Sequence, residues 1–420
     1  MAKLLFIRSG KAIRTNSNQH MQLEEQGLKR ARRATQLIFL VCGLGIASWA
    51  PMVPYAKDRL GLHEGQLGLL LLFLGCGALV MMPITGILIN RFGSRVVIGA
   101  AAMLMAILLP LLLIIDTYVP MAAALLLFGA AVGSIDVAMN AHGVKVQHLY
   151  GRPIMSSLHG LFSIGGLAGS LGLGFLIKAG LEPVHAAISV SILLIIITFS
   201  QFKSLFNSTL ERQVSTTYST ATGTQVQENR FLWLRGSVIF LGMLCFSAFL
   251  AEGAMLDWSA VFLRDTKGVS QELSGAGYAA FSIAMAAMRL AGDGLVERFN
   301  NKTVVSGGSL LAAIGLTIAI VSPWTPLVLA GYILLGIGAA NIVPIFFSDG
   351  GSIPGIPAAI SIPAITTIGY AGQLAGPALL GFVAHHFSLA AAFGCCAVLL
   401  AGISVAYLLK KQHTPLTATK

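Results

Sequence analysis

The sequence predicts an all-α membrane protein with twelve transmembrane helices in two pseudo-symmetric six-helix bundles. Three observations carry that expectation. The 420-residue chain is 56% hydrophobic and only 10% charged, with a mean hydropathy of +0.82, more apolar surface than a water-soluble globule needs. Its apolar residues fall in long runs, such as 67–83, 96–115 and 188–199. Crossing about 30 Å of hydrocarbon takes ~20 helical residues, and a helix satisfies its own backbone groups there. The alternating pattern of a membrane barrel is absent. Third, the chain repeats itself at an offset of 207 residues.

The repeat is clearest in GILINRFGSR (86–95) and its degenerate copy DGLVERFNNK (293–302). The same offset carries Asp58 onto Asp265, Gly61 onto Gly268, Gly68 onto Gly275, Gly129 onto Gly336 and Gly165 onto Gly372. An ungapped match concentrated on Gly, Asp and Arg-Phe positions indicates an ancient duplication.

In chain order, residues 1–34 form a basic arm whose apolar stretch 4–7 is too short for a secretory signal. Within it, LEEQGLKRARR (23–33) reads either as a helix lying along lipid headgroups or as a disordered tail. The N-terminal bundle, 35–202, holds spans near 36–56, 66–89, 96–115, 119–143, 155–178 and 184–202. Residues 203–233, rich in Ser, Thr and Gln, read as a flexible linker. The C-terminal bundle, 234–410, holds spans near 234–262, 272–296, 303–321, 326–348, 357–384 and 388–409, and 411–420 form a tail.

Charge sets the expected orientation. With the N-terminus inside, inner segments hold 21 of the 27 Lys and Arg residues, which places both termini in the cytoplasm. The same distribution turns the net charge of +11 away from a nucleic-acid partner and toward a lipid bilayer. The five cysteines lie in apolar runs without metal or CxxC spacing, so they read as small buried residues. No GxxxxGKS, GxSxG or HExxH pattern is present, so no cofactor, metal or catalytic group is expected and the chain does not read as an enzyme.

Two duplicated six-span halves, each with a glycine-plus-basic motif after its second span, resemble the major facilitator superfamily (MFS). The motif runs G-x3-D-[RK]-x-G-[RK]-[RK]. Gly86, Arg91, Gly93 and Arg95 match it, Asn90 replaces the acid and Ser94 a base; the second copy keeps Glu297-Arg298 but has Asp293 at the glycine position. GSIDVAMNAHGVKV, RPIMSSLHGLFSIGGLAG, AEGAMLDWSAVFL and TTIGYAGQLAGPALLG further resemble a YbjJ-like branch of inner-membrane proteins. The resemblance implies rocker-switch alternating access around a midplane cavity lined by spans 1, 4, 7 and 10, in a bacterial inner membrane. Span 4 lacks the RxxxG arginine of the superfamily's drug/proton antiporters, and span 5 lacks their Gly-Pro signature. Prolines 51, 54, 344, 363 and 377 supply bends. The glycines of spans 5 and 11 supply either static packing or a tight sliding seam.

Ionisable residues inside the membrane are costly and therefore informative. Asp136 and Asn140, one turn apart in span 4, offer a proton site or a partner for gate arginines such as Arg91. Glu252 in span 7 is the other proton candidate, since coupling needs a group whose proton affinity changes with access. Asp257 and Trp258 follow it toward the outer interface, and His159 opens span 5. Trp49 either stacks on a ring of the solute or fills space, and Asn341 adds a polar position in span 10. Arg289, Asp293 and Glu297 form an i, i+4, i+8 stripe down span 8 and read, with Gly86, Asn90, Arg91, Gly93, Arg95 and Arg298, as a cytoplasmic gate. The reading is a monomeric secondary transporter of a small polar organic solute, driven by protons. The alternatives are a proton-driven exporter of amphipathic compounds and a non-transporting sensor or scaffold.

Overall fold

A computed structural model describes residues 26–62, 64–221, 231–270 and 275–410. The chain is almost entirely helical. Helix α1 covers 26–47, and after a 3-10 turn at Ala50–Met52 comes the short α2, Val53–Leu60. The N-terminal half continues with α3 (Glu64–Phe92), α4 (Ser94–Leu111), α5 (Tyr118–Tyr150), α6 (Met155–Lys178) and α7 (Pro183–Phe202). Then come α8 (Ser208–Ala221), α9 (Gly236–Val261), α10 (Ala276–Val321), α11 (Thr325–Ala339), α12 (Ile342–Gly350), α13 (Ala358–His386) and α14 (Leu389–Leu409).

Among the described residues, ten helical segments are long and apolar enough to cross a membrane, α11 and α12 together forming one of them. Helix α10, 46 residues long, is two spans joined at Asn300, and α13 has 29 residues, ample length at 1.5 Å per residue. With α10 divided and α13 included, the spans number twelve. At Asn300 φ is 66° and ψ 163°; at Gly93, its repeat partner, φ is 84° and ψ 155°. The two motif copies therefore turn the chain in the same way.

The repeat also governs packing. Gly129 of α5 lies against the carbonyl of Leu74 in α3, where an added Cβ would sit 1.9 Å from the oxygen. Gly336 of α11 makes the equivalent approach to the carbonyl of Phe281 in α10, at 2.4 Å. Only glycine permits such backbone contact. At the far end of the molecule, Arg59 donates to the carbonyls of Leu112, Leu113 and Ile115 at the end of α4. In the second half Lys267 donates to Ile320 O (2.8 Å) and Ser322 O (2.7 Å) at the end of α10. Each cation satisfies carbonyls that a helix C-terminus leaves open.

The opposite, basic face gathers the loops after α3 and α5, residue 300 and the end of α14. Arg32 donates to the Tyr150 hydroxyl (2.8 Å), and Lys302 donates to Lys410 O (3.3 Å). From residue 26 the basic arm thus extends α1 rather than lying flat; residues 1–25 fall outside the described residues.

Two expectations change. The α-helix of span 1 ends at 47, because Pro51 lacks the N–H that a further turn requires, and a 3-10 turn carries the span to Met52. The expected flexible linker is helical over Ser208–Ala221 and docked. Glu211, 3% exposed, accepts from Lys145 Nζ (2.8 Å) and from the Ser94 N–H that opens α4 (3.1 Å). Phe206 N–H donates to His142 Nε2 (2.9 Å). A polar sequence gives no apolar signal for such docking, which rests on a buried ion pair. Residues 222–230 of the linker lie outside the described residues.

Candidate functional site

The two halves meet along α3 with α13 and α6 with α10. Where they meet, a proline frees a carbonyl. In an α-helix Ala340 O would accept from residue 344, but Pro344 has no N–H. The chain breaks at Ala340–Asn341 between α11 and α12, and the freed Ala340 O accepts from Arg289 Nε (3.1 Å). Arg289, 7% exposed, also donates from Nη1 to Ser163 Oγ of α6 (3.1 Å). Its Nη2 lies 3.4 Å from both carboxylate oxygens of Glu252 in α9. Three elements therefore anchor one guanidinium, and only the Ser163 contact crosses between halves. Arg289 does not pair with Asp293, its neighbour one turn along the stripe. One nitrogen, Nη2, faces both oxygens of the Glu252 carboxylate, while the other two are taken by Ser163 and Ala340 O.

Asp136 and Asn140 share the buried face of α5, 7% and 0% exposed. Asn140 Nδ2 donates to Asp136 O (2.9 Å) and lies 3.4 Å from Asp136 Oδ1. Asp136 Oδ2 and Asn140 Oδ1 have no partner within hydrogen-bond distance, although the Tyr370 hydroxyl is close enough to donate weakly toward the Asp136 carboxyl. Cys42 of α1, Cys245 of α9 and Tyr370 of α13 lie within electrostatic reach of Asp136, and Tyr370 is within reach of Glu252 as well. The pairing of Asp136 with Arg91 does not occur: Arg91 is exposed at the basic face, its guanidinium 5.2 Å from the Phe92 ring.

The remaining candidates separate. Trp49 is buried at the end of span 1 with its indole N–H unpartnered. Asn341 is buried at the α11–α12 break, its Oδ1 also unpartnered, and pressed so closely on Gly292 that no side chain fits there. Trp258 is half-buried, and a Cβ at Gly381 would touch its ring at 3.3 Å. Asp257 is exposed. His159 is packed between Phe39 (5.2 Å) and Phe347 (5.7 Å, stacked), with Nδ1 donating to Met155 O (3.0 Å). It joins the halves by ring packing.

Of the residues expected to form a gate, all but Arg289 lie at the basic face. Asp293 reaches across to the start of α6, where its two oxygens accept from Ser156 N–H (3.0 Å) and Ser157 N–H (3.2 Å). It thereby caps a helix of the other half and meets its positive end. At the repeat-equivalent place Gly86 abuts Ala359 O and Pro363 of α13. Glu297 lies 3.7 Å from Arg152, both exposed. Asn90 O accepts from Arg212 (3.4 Å), Arg95 sits over Phe202 (4.4 Å) and Arg298 over Phe299 (5.3 Å). Gln147 bonds Ser348 (2.5 Å) and His148 bonds Ser352 (2.9 Å), closing the same face. The stripe on α10 thus divides into a central arginine, a helix cap and a surface pair.

Sequence reasoning did not single out Ser163 and Tyr370, which occupy equivalent positions of the repeat, or Glu211. The offset that aligned the glycines around them was the available signal.

A family model described as Major Facilitator Superfamily matches residues 37–355. An uncharacterized MFS-type transporter of Yersinia pestis is 45% identical over 381 residues, covering 91% of this chain and 96% of that protein. The fold is shared with the fucose:proton symporter FucP of E. coli, with a TM-score of 0.71, 14% identity, and coverage of 91% of this chain and 98% of that one. It is shared also with the proton:xylose symporter XylE, with a TM-score of 0.70, 15% identity, and 91% and 96% coverage.

Proposed function

Because the chain belongs to the major facilitator superfamily, a family of multi-pass membrane transporters, we propose that it moves a small polar organic solute across the membrane by proton coupling. The observation that carries this reading is a cluster built from two buried polar pairs, Asp136–Asn140 in the first half and Glu252–Arg289 in the second, both within electrostatic reach of Cys245 and Tyr370. Arg289 is already matched by Glu252, so the cluster offers no bare cation to an anionic solute. The open oxygens of Asp136 and Asn140 favour a solute that donates hydrogen bonds. Two proteins of this fold are named for proton-coupled sugar transport, in keeping with such a solute. Glu252 and Asp136 are the two candidates for the group that exchanges a proton as access changes.

The placement of the contacts supports alternating access. Asp293 on α6, Arg152–Glu297, Gln147–Ser348 and His148–Ser352 all cross between halves at the basic face. They must part for that face to open, whereas Arg289–Glu252 lies within one half and persists. The excess of Lys and Arg at this face supports a cytoplasmic position for it and for both termini, in a bacterial inner membrane. One chain supplies both halves and the whole cluster, so a monomer suffices.

Reconstituted into proteoliposomes, the protein should accumulate a labelled polar solute under an imposed pH gradient, and a protonophore should abolish accumulation. Flux unaffected by the protonophore removes proton coupling. Ligand binding without flux assigns the protein to sensing instead.

A further inference from the structure

Asp136 and Asn140 are one turn apart on α5 and essentially buried; Asp136 Oδ2 and Asn140 Oδ1 have no partner within hydrogen-bond distance, and the one side chain that reaches toward the Asp136 carboxyl is the neutral Tyr370 hydroxyl. Among the described residues, the titratable groups within electrostatic reach of Asp136 are Cys42 of α1, Cys245 of α9 and Tyr370 of α13, and Glu252 is within reach of the last two. None is a cation. Arg289 is committed to Glu252, Ser163 and Ala340 O. A buried carboxylate without a counter-charge is strongly disfavoured, and so is a buried acceptor left open.

We propose that the Asp136–Asn140 pair is a recognition subsite for a primary ammonium group, so that the transported solute is an amino-bearing polar compound of the amino-sugar or amino-alcohol class. This rests on the transporter reading and deepens it. An ammonium carries the missing positive charge and three N–H donors, enough for both open oxygens at once. A neutral hydroxyl brings one donor and no charge. Glu252 and Arg289 neutralise each other, so neither brings a net charge to the site.

The test measures the thermal stability of the purified full chain at neutral pH with glucosamine, galactosamine and ethanolamine, each against its neutral counterpart glucose, galactose or ethylene glycol. A ligand that binds the folded state raises the midpoint. At least one amine should bind tenfold or more tightly than its counterpart. Asp136→Asn should erase that preference, and Asp136→Glu should keep part of it. Equal binding of the neutral partner, no binding by any amine, or a preference that survives Asp136→Asn overturns the proposal. If Asp136→Asn does not fold, the wild-type preference decides alone. A stability change with pH that Asp136→Asn removes, without amine binding, assigns the site to a proton and also overturns it. Uptake in proteoliposomes separates the two readings. Amine binding without uptake keeps the subsite and removes transport; uptake of a neutral solute that amines do not inhibit does the reverse.

Discussion

Asn300 holds a backbone conformation that is nearly reserved for glycine, at φ 66° and ψ 163°, and such strain costs of order 1–3 kcal/mol. In return its side chain accepts from Thr303 N–H (3.1 Å) and caps the second span of α10. Replacing a cap by glycine costs only a few tenths of a kcal/mol. Asn300→Gly should therefore stabilise the protein by about 1 kcal/mol, whereas Asn300→Ala, which loses the cap and keeps the strain, should destabilise it by about 1–2 kcal/mol. Thermal unfolding in detergent compares them. At the centre, Arg289→Ala leaves the Glu252 carboxylate without its partner and should cost about 3–5 kcal/mol. Glu252→Gln keeps the shape, so the protein should fold but lose uptake driven by a pH gradient. Full gradient-driven uptake with unaltered pH dependence in that variant would falsify the proton role of Glu252.

Elements decide how such residues are held. Helix α8 shows how a polar segment becomes part of the scaffold: one buried carboxylate joins α8 to the end of α5 through Lys145 and to the start of α4 through Ser94. Glu211→Gln keeps a hydrogen-bond acceptor but removes the charge facing Lys145, and should destabilise the docked helix by about 1–3 kcal/mol. Faster trypsin cleavage at the exposed Arg212 would report it, and unchanged cleavage would show that α8 is held by packing alone. The α11–α12 break acts in the same way at the site. Pro344 removes one N–H, and the carbonyl left over becomes a fixed acceptor for Arg289.

For the whole molecule the two motif copies are equal in backbone and unequal in chemistry. Asp293 ties the halves by capping α6, while its counterpart Gly86 only abuts α13. Asn90 stands where the family motif carries an acid, and contributes only its carbonyl to Arg212. Asp293→Ala should therefore alter transport rates more than Asn90→Asp does, measured as initial uptake in proteoliposomes. A larger effect at position 90 would show that the first loop controls the basic face.

The sequence by itself determined the fold class, the twelve spans and the duplication. These depend on apolar run length and on glycines whose contacts recur at the repeat distance, as Gly129 and Gly336 do. Such properties are local in the chain, so they can be read along it. Only the tertiary structure decided which charges meet. Arg289 lies one turn from Asp293 in sequence, yet it binds Glu252, 37 residues away. Asp293 instead caps a helix 137 residues away, and the polar linker docks through Glu211. Partner choice among buried charges depends on which helices the fold brings face to face and on which carbonyls proline has left open. Neither has a periodic signature in the sequence.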